Sequence, residues 1–207
     1  MRDTKNYILG VAFKLFMQKN YKEVTMKEIV EKTGLSKGAF YHYFESKEKL
    51  FLEILHHFFS TVMNTDYGQY SKESLYQFYH DCLNAKDEFR VEFQGNEERF
   101  GDSYFNMNFF FLIFDGLKLS PEYRESMKDF QERELKAWIE AVRRARESGE
   151  IRSVMSDEHI AMIFIHTSDG VAMNLVLGGG MKNLKKELCA IWDEFYESLK
   201  VQFFGNT

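Results

Sequence analysis

The chain has one proline and only 13 glycines in 207 residues. So few breaks exclude an all-β sandwich or barrel, which needs a turn signal about every 8–12 residues. The two cysteines, Cys82 and Cys189, form no CxxC and no ligand run, so neither a disulfide framework nor a zinc ribbon is indicated. No uncharged apolar run reaches the roughly 18–20 residues of a membrane span. Segment 103–114, SYFNMNFFFLIF, is among the longest and stops short. The N-terminal MRDTKNYILG carries Arg2, Asp3 and Lys5 and lacks a signal-peptide pattern. The expectation is a cytoplasmic, soluble, reduced protein. Also missing are G-x-S-x-G, H-E-x-x-H and the P-loop. His56 and His57 are neighbours on a helix and point about 100° apart, poor geometry for one metal. No enzyme activity, catalytic residue, metal residue or cofactor is expected.

What is present is a helical pattern. Hydrophobic residues make up 44% and charged residues 29%, a globular balance. The net charge of −5 hides an asymmetry: residues 1–55 hold ten Lys/Arg against seven Asp/Glu, and the remainder is acidic. A mildly basic head on an acidic body is compatible with a local nucleic-acid contact.

In 4–19, Ile8, Leu9, Ala12, Leu15 and Phe16 fall on one stripe, which predicts a helix. Thr25-Met26-Lys27-Glu28 has the capping-box form and opens a short helix that ends at Gly34. Ser36 caps another over 37–43, and Ser46 a longer one over 47–65. Further helices are predicted over 72–93, 103–117, 121–147 after the start signal Ser120-Pro121, 157–177 after Ser156, and 182–204. The reading is all-α, about nine helices and no sheet.

Segment 25–44, TMKEIVEKTGLSKGAFYHYF, is a helix–turn–helix. Gly34 permits the positive φ of a tight turn, Leu35 can plug the angle, and Ile29, Val30 and Phe40 are placed to hold it. The second helix displays Ser36, Lys37, Gly38, Tyr41 and His42, small or hydrogen-bonding groups. The longer string YKEVTMKEIVEKTGLSKGAFYHYFESKEKLFLEIL resembles the N-terminal DNA-binding domain of the TetR family of bacterial transcriptional regulators. The likeness lies in Tyr21, Thr25, Ile29, Gly34 and Ser36-x-Gly38-x-x-Tyr41-x-Tyr43-Phe44-x-x-Lys47-x-x-Leu50. Beyond it, only Gly149-Glu150-Ile151-Arg152 looks like a family turn. Val30 and Thr33 stand where smaller residues are common, and Asn20 where glycine is.

The resemblance implies a three-helix DNA-binding domain over 1–46 and a helical ligand-binding and dimerisation domain over 47–207, with helix 47–65 connecting them. It implies DNA contacts at Thr25, Ser36, Lys37, Gly38, Tyr41, His42 and Lys47; Tyr43 and Phe44 are expected in the core. Thr25 would meet phosphate at a helix N-terminus, and Lys47 would anchor another. Repression is the family's commoner mode. The function expected is a repressor that binds a palindromic double-stranded operator as a homodimer and is released by a small, largely apolar effector. The alternative is a helical ligand-binding or scaffolding protein without a specific DNA target.

The last two helices are apolar on more than one face, which suits a bundle made by two chains. The last carries two stripes, Leu184-Leu188-Ile191-Phe195 and Trp192-Tyr196-Leu199-Phe203. Ile163, Val171, Leu175, Leu188, Trp192, Phe195 and Leu199 are the candidate dimer residues. A twofold pair would present two recognition helices about 34–36 Å apart. The aromatic-rich middle suggests a cavity, for which Phe59, Met63, Tyr76, Tyr79, Phe105, Phe109 and His166 are the candidates.

Overall fold

Hydroxyl and amide side chains start the helices. Thr25 Oγ1 accepts from the Glu28 amide at 3.2 Å, Ser36 Oγ from Ala39 at 3.3 Å, Ser46 Oγ from Lys49 at 3.1 Å and Ser156 Oγ from His159 at 3.1 Å. Each such cap contributes about 1 kcal/mol. The computed structural model describes residues 2–94, 106–179 and 181–200. Among the described residues there are nine α-helices and no strand. They are α1 (Arg2–Gln18), α2 (Met26–Thr33), α3 (Lys37–Tyr41), α4 (Lys47–Met63), α5 (Leu75–Gln94), α6 (Met107–Leu119), α7 (Pro121–Glu147), α8 (Asp157–Leu177) and α9 (Leu184–Leu199). A short 3-10 turn, Tyr67–Gln69, precedes α5. The predicted last helix is shorter than expected, with Lys200 as its C-cap in extended backbone. Phe203 lies outside the described residues.

The chain forms two compact units, Met1–Asn64 with Asn96–Lys128, and Thr65–Gly95 with Asp129–Thr207. All of α4 falls in the first, so the compact units do not divide at residue 46. The cause is burial: Leu50, Phe51, Ile54 and Leu55 of α4 are fully enclosed, and Phe51 meets Phe16 edge-on at 5.0 Å and Tyr21 at 4.7 Å. The predicted α1 stripe, Ile8, Leu9, Ala12, Leu15 and Phe16, is buried throughout. The side-chain amides of Asn106 and Asn108 both donate to the Met17 carbonyl, at 3.1 and 2.9 Å, which fixes the start of α6 to the end of α1. Farther along α6, Gly116 is a point of close approach. A Cβ there would stand 2.4 Å from Leu55 Cδ1 and 3.0 Å from the Tyr123 ring.

The second unit is built on large rings. Trp138 stacks on Phe164 at 4.8 Å, and Trp192 meets both edge-on at 5.3 and 5.5 Å. Such pairs add about 0.5–1.5 kcal/mol each beyond their buried area. Glu150 joins three segments: its carboxylate accepts from the amides of Leu75 and Tyr76 and from the Tyr196 hydroxyl at 2.8 Å. It thereby caps α5 from a distant loop. Gly149, at φ 77°, makes that turn possible by closing α7 in the left-handed region. Arg146 holds the following loop through Asp157 at 2.7 Å and the carbonyls of Ser153 and Met155. Helix α8 is long and apolar enough to cross a membrane by length and composition, yet Ile160, Ala161, Phe164, Ser168 and Val176 are buried in the protein.

Three of the expected dimer residues need correction. Leu188, Trp192 and Leu199 are 0–2% exposed within one chain and belong to its own core. Their stripe of α9, with Leu184 and Tyr196, faces the aromatic cluster, so it is closed to a partner. Ile163, Val171, Leu175 and Phe195 stay half-exposed, and Ile191 is exposed.

Two stability predictions follow from this packing. Gly116→Ala overfills a closed contact and should destabilise the protein by about 1–3 kcal/mol in chemical denaturation. Glu134 is buried, with the Tyr67 hydroxyl bonded to it and Lys86 Nζ 3.9 Å away. Burial pushes its carboxyl above the usual range. The folded state therefore holds the proton more tightly than the unfolded one, and the contribution is fully present below the unfolded value of about 4.3. The stability of the wild type relative to Glu134→Gln should fall as pH rises through the folded value, read as the difference in Tm.

Candidate nucleic-acid interface

The helix–turn–helix consists of α2, a three-residue turn and α3. Gly34 takes φ 67°, and its amide bonds to the Glu31 carbonyl, which turns the chain sharply after α2. Ile29 and Phe40 are fully buried and Val30 nearly so, so the pair is held by apolar packing. Thr33 is buried as well. Its hydroxyl donates to the Val30 carbonyl at 2.8 Å, and its own carbonyl accepts from the Tyr7 hydroxyl of α1 at 3.2 Å. The larger residues at 30 and 33 are thus accommodated inside the domain.

On the outer side, Thr25, Ser36, Lys37, Gly38, Tyr41 and His42 are all exposed. Tyr41 is 44% exposed although its ring rests edge-on against Phe40 at 5.7 Å. The face combines two capped helix N-termini, a lysine, a glycine, a phenol and an imidazole. Helix N-termini favour anions, and the side chains suit phosphate oxygens and base edges. Other lysines of the basic head are engaged elsewhere: Lys5 with Glu53, Lys19 with Glu28, Lys27 with Glu31 and Lys49 with Glu45. The Lys19 pair, at 2.6 Å, occupies Glu28, so the second half of the expected capping box gives way to an ion pair.

Lys47 departs from the role expected of it. Its ammonium donates to the carbonyls of Tyr21 at 2.8 Å and Val24 at 2.9 Å and sits 4.3 Å from the Tyr21 ring centroid. Desolvation lowers its pKa. Two of its three hydrogens close the turn before α2, so it is a positioning residue with at most one hydrogen left for a phosphate. Tyr43 is half-exposed rather than core, whereas Phe44 is buried as expected.

The expected cavity residues do not gather at one place. Phe59 and Phe109 meet in the first unit with ring centroids 5.5 Å apart, and Met63 follows Phe59 by one turn of α4. Tyr79 is core of the second unit, and Tyr76 packs on His80 at 4.3 Å and on Tyr196 at 5.7 Å. His166 is exposed and lines an open groove with Met155, His159, Met162, Ile163 and Thr167. Phe105 lies outside the described residues.

The model of the bacterial regulatory proteins of the tetR family matches residues 8–54. The uncharacterized HTH-type transcriptional regulator YuxN of Bacillus subtilis is 34% identical over 96 residues, 42% of this chain and 33% of that protein. The HTH-type transcriptional regulator QacR of Staphylococcus aureus is 51% identical over 51 residues, 25% of this chain and 27% of that protein. The matched stretch therefore spans about a third or less of these curated relatives. The crystal structure of the MbdR regulator from Azoarcus sp. CIB shares the fold, with a TM-score of 0.66 at 18% identity, covering 91% of this chain and 96% of that one.

Gly38 has no internal reason to be glycine: a Cβ there would meet nothing within 4 Å and its φ is ordinary. Glycine inside a helix costs about 0.5–1 kcal/mol relative to alanine. Gly38→Ala should therefore raise the stability of the free protein by about that amount, read by thermal or chemical denaturation.

Proposed function

We propose, from the match of residues 8–54 to the TetR family of bacterial regulatory proteins, that the chain is a DNA-binding transcriptional regulator. The reading rests above all on Gly38, a residue left bare on a face that its own fold does not need bare. Beside it stand Lys37, Tyr41 and His42, exposed on a helix set by a buried Phe40. Backbone at Gly38 comes close to the duplex in the major groove, the capped starts of α2 and α3 meet phosphates, and Tyr41 and His42 reach a phosphate or base edge.

The protein acts as a homodimer on a near-palindromic operator, through the half-exposed apolar residues Ile163, Val171, Leu175 and Phe195 together with Ile191. It is a repressor, the commoner mode of the family it resembles. A small, largely apolar effector lodges near Phe59, Met63 and Phe109 and releases it from DNA. Helix α4 is about 25 Å long; Lys47 stands at one end and Phe59 and Met63 at the other. An effector that fits one tilt of α4 better than another shifts the population between DNA-competent and incompetent states, with a coupling of about 1–3 kcal/mol.

A mobility-shift titration on random duplex DNA at several salt concentrations tests the core of this proposal. Affinity should fall linearly on a log–log plot against salt. Lys37→Ala should reduce that slope by about one, and Tyr41→Ala, His42→Ala and Gly38→Ala should each weaken binding while helicity is retained. Duplex binding that is absent, or indifferent to salt and to these substitutions, would favour the helical ligand-binding or scaffolding alternative. Selection from a random library should return a site with twofold symmetry.

A further inference from the structure

His80 on α5 and Cys189 and Asp193 on α9 converge within the second unit. Cys189 and Asp193 are four residues apart and share a face of their helix. One ligating atom from each of the three residues lies within 4.8 Å of the others. His80 Nε2 is buried without a hydrogen-bond partner; the Asp193 carboxylate oxygen is 3.7 Å away, too far for a hydrogen bond. Cys189 Sγ is 3.3 Å from the other Asp193 oxygen. An orphaned buried nitrogen beside a carboxylate and a thiol calls for a physical account, and hydrogen bonding within the chain does not supply it.

We infer that His80, Cys189 and Asp193 form a binding site for a zinc-class divalent metal ion, with three protein ligands and water as the fourth. Tetrahedral zinc with bonds of about 2.0–2.3 Å separates its ligand atoms by roughly 3.3–3.6 Å, against 3.7 Å from His80 to Asp193, 3.3 Å from Cys189 to Asp193 and no more than 4.8 Å within the trio. The nitrogen–thiolate–carboxylate set excludes magnesium and calcium, which take oxygen donors. Outer partners orient the ligands. The Tyr79 hydroxyl donates to Asp193, and the Tyr76 and Tyr79 rings flank the His80 imidazole at 4.3 and 4.7 Å. The side chains of His80 and Asp193 are 27% and 43% exposed, which gives an ion a way in and leaves room for water. A bound ion bridges α5 to α9 and adds stability by mass action, since the unfolded chain has no such site.

The test uses the reduced, full-length chain without an affinity tag, titrated with zinc(II) alone and, separately, with cobalt(II) alone. Calorimetry should give one zinc ion per chain and a rise in Tm on saturation. The cobalt complex should show thiolate charge transfer in the near ultraviolet and the intense visible bands of a tetrahedral site. Cys189→Ser and His80→Ala should each lower zinc affinity at least tenfold, and Tyr79→Phe about tenfold through loss of the orienting hydroxyl. Zinc binding that survives Cys189→Ser overturns the proposal, as does a wild-type cobalt complex without a thiolate band or a lack of saturable binding. The wild-type cobalt spectrum does not depend on any variant folding. No readout involves DNA, so failure here leaves the regulator reading intact, and the converse also holds.

Discussion

The ammonium of Lys47 binds the carbonyls of Tyr21 and Val24 and rests on the Tyr21 ring. That contact locks the first residue of α4 to the segment that leads into α2. Phe51, one turn further along α4, packs on Tyr21 and Phe16. The entrance to the helix–turn–helix and the start of α4 are therefore one mechanical piece. A change in the direction of α4 carries the segment before Thr25 with it, because breaking the contact would leave two carbonyls and a charge in a half-buried place. Lys47 is thus the physical link between the start of α4 and the segment that enters the helix–turn–helix.

The second unit depends on a different kind of closure. Its rings fill the interior, while the polar groups that chain geometry forces inside are matched from far away in sequence. Glu150 supplies acceptors for the Leu75 and Tyr76 amides of α5, beside Ser74 Oγ, which takes the Gln77 amide, and accepts from the Tyr196 hydroxyl as well. Arg146 closes the loop before α8. Both residues flank Gly149, whose left-handed backbone turns the chain so that the two can act.

Local chemistry was legible in the sequence. Thr25, Ser36, Ser46 and Ser156 cap the helices they announce, Ser120-Pro121 opens α7, and Gly34 makes its turn, because each of these effects is decided within four residues. Exposure of the predicted reader residues was also legible, since the buried positions Ile29, Val30 and Phe40 dictate which side is left over. Non-local partners were not. Nothing near Lys47 announces the carbonyls it meets, and nothing near Glu28 announces Lys19. Two apolar stripes on α9 could be counted, but which was enclosed by Trp138 and Phe164 depends on how helices meet. The aromatic-rich middle suggests one cavity, yet composition does not say which compact unit receives each ring. His80 and Cys189 sit on separate helices, so their proximity has no sequence pattern.

Helix α9 divides its circumference among several duties. One side is committed to the interior through Leu184, Leu188, Trp192, Tyr196 and Leu199. Another leaves Ile191 and part of Phe195 in the open, and a third edge bears Cys189 and Asp193. What remains is a handful of exposed charges, such as Lys185, Lys186, Glu187, Glu194 and Glu197. Evolutionary drift along this helix has few places to go, and a designer who wishes to alter solubility or attach a label there has the same short menu.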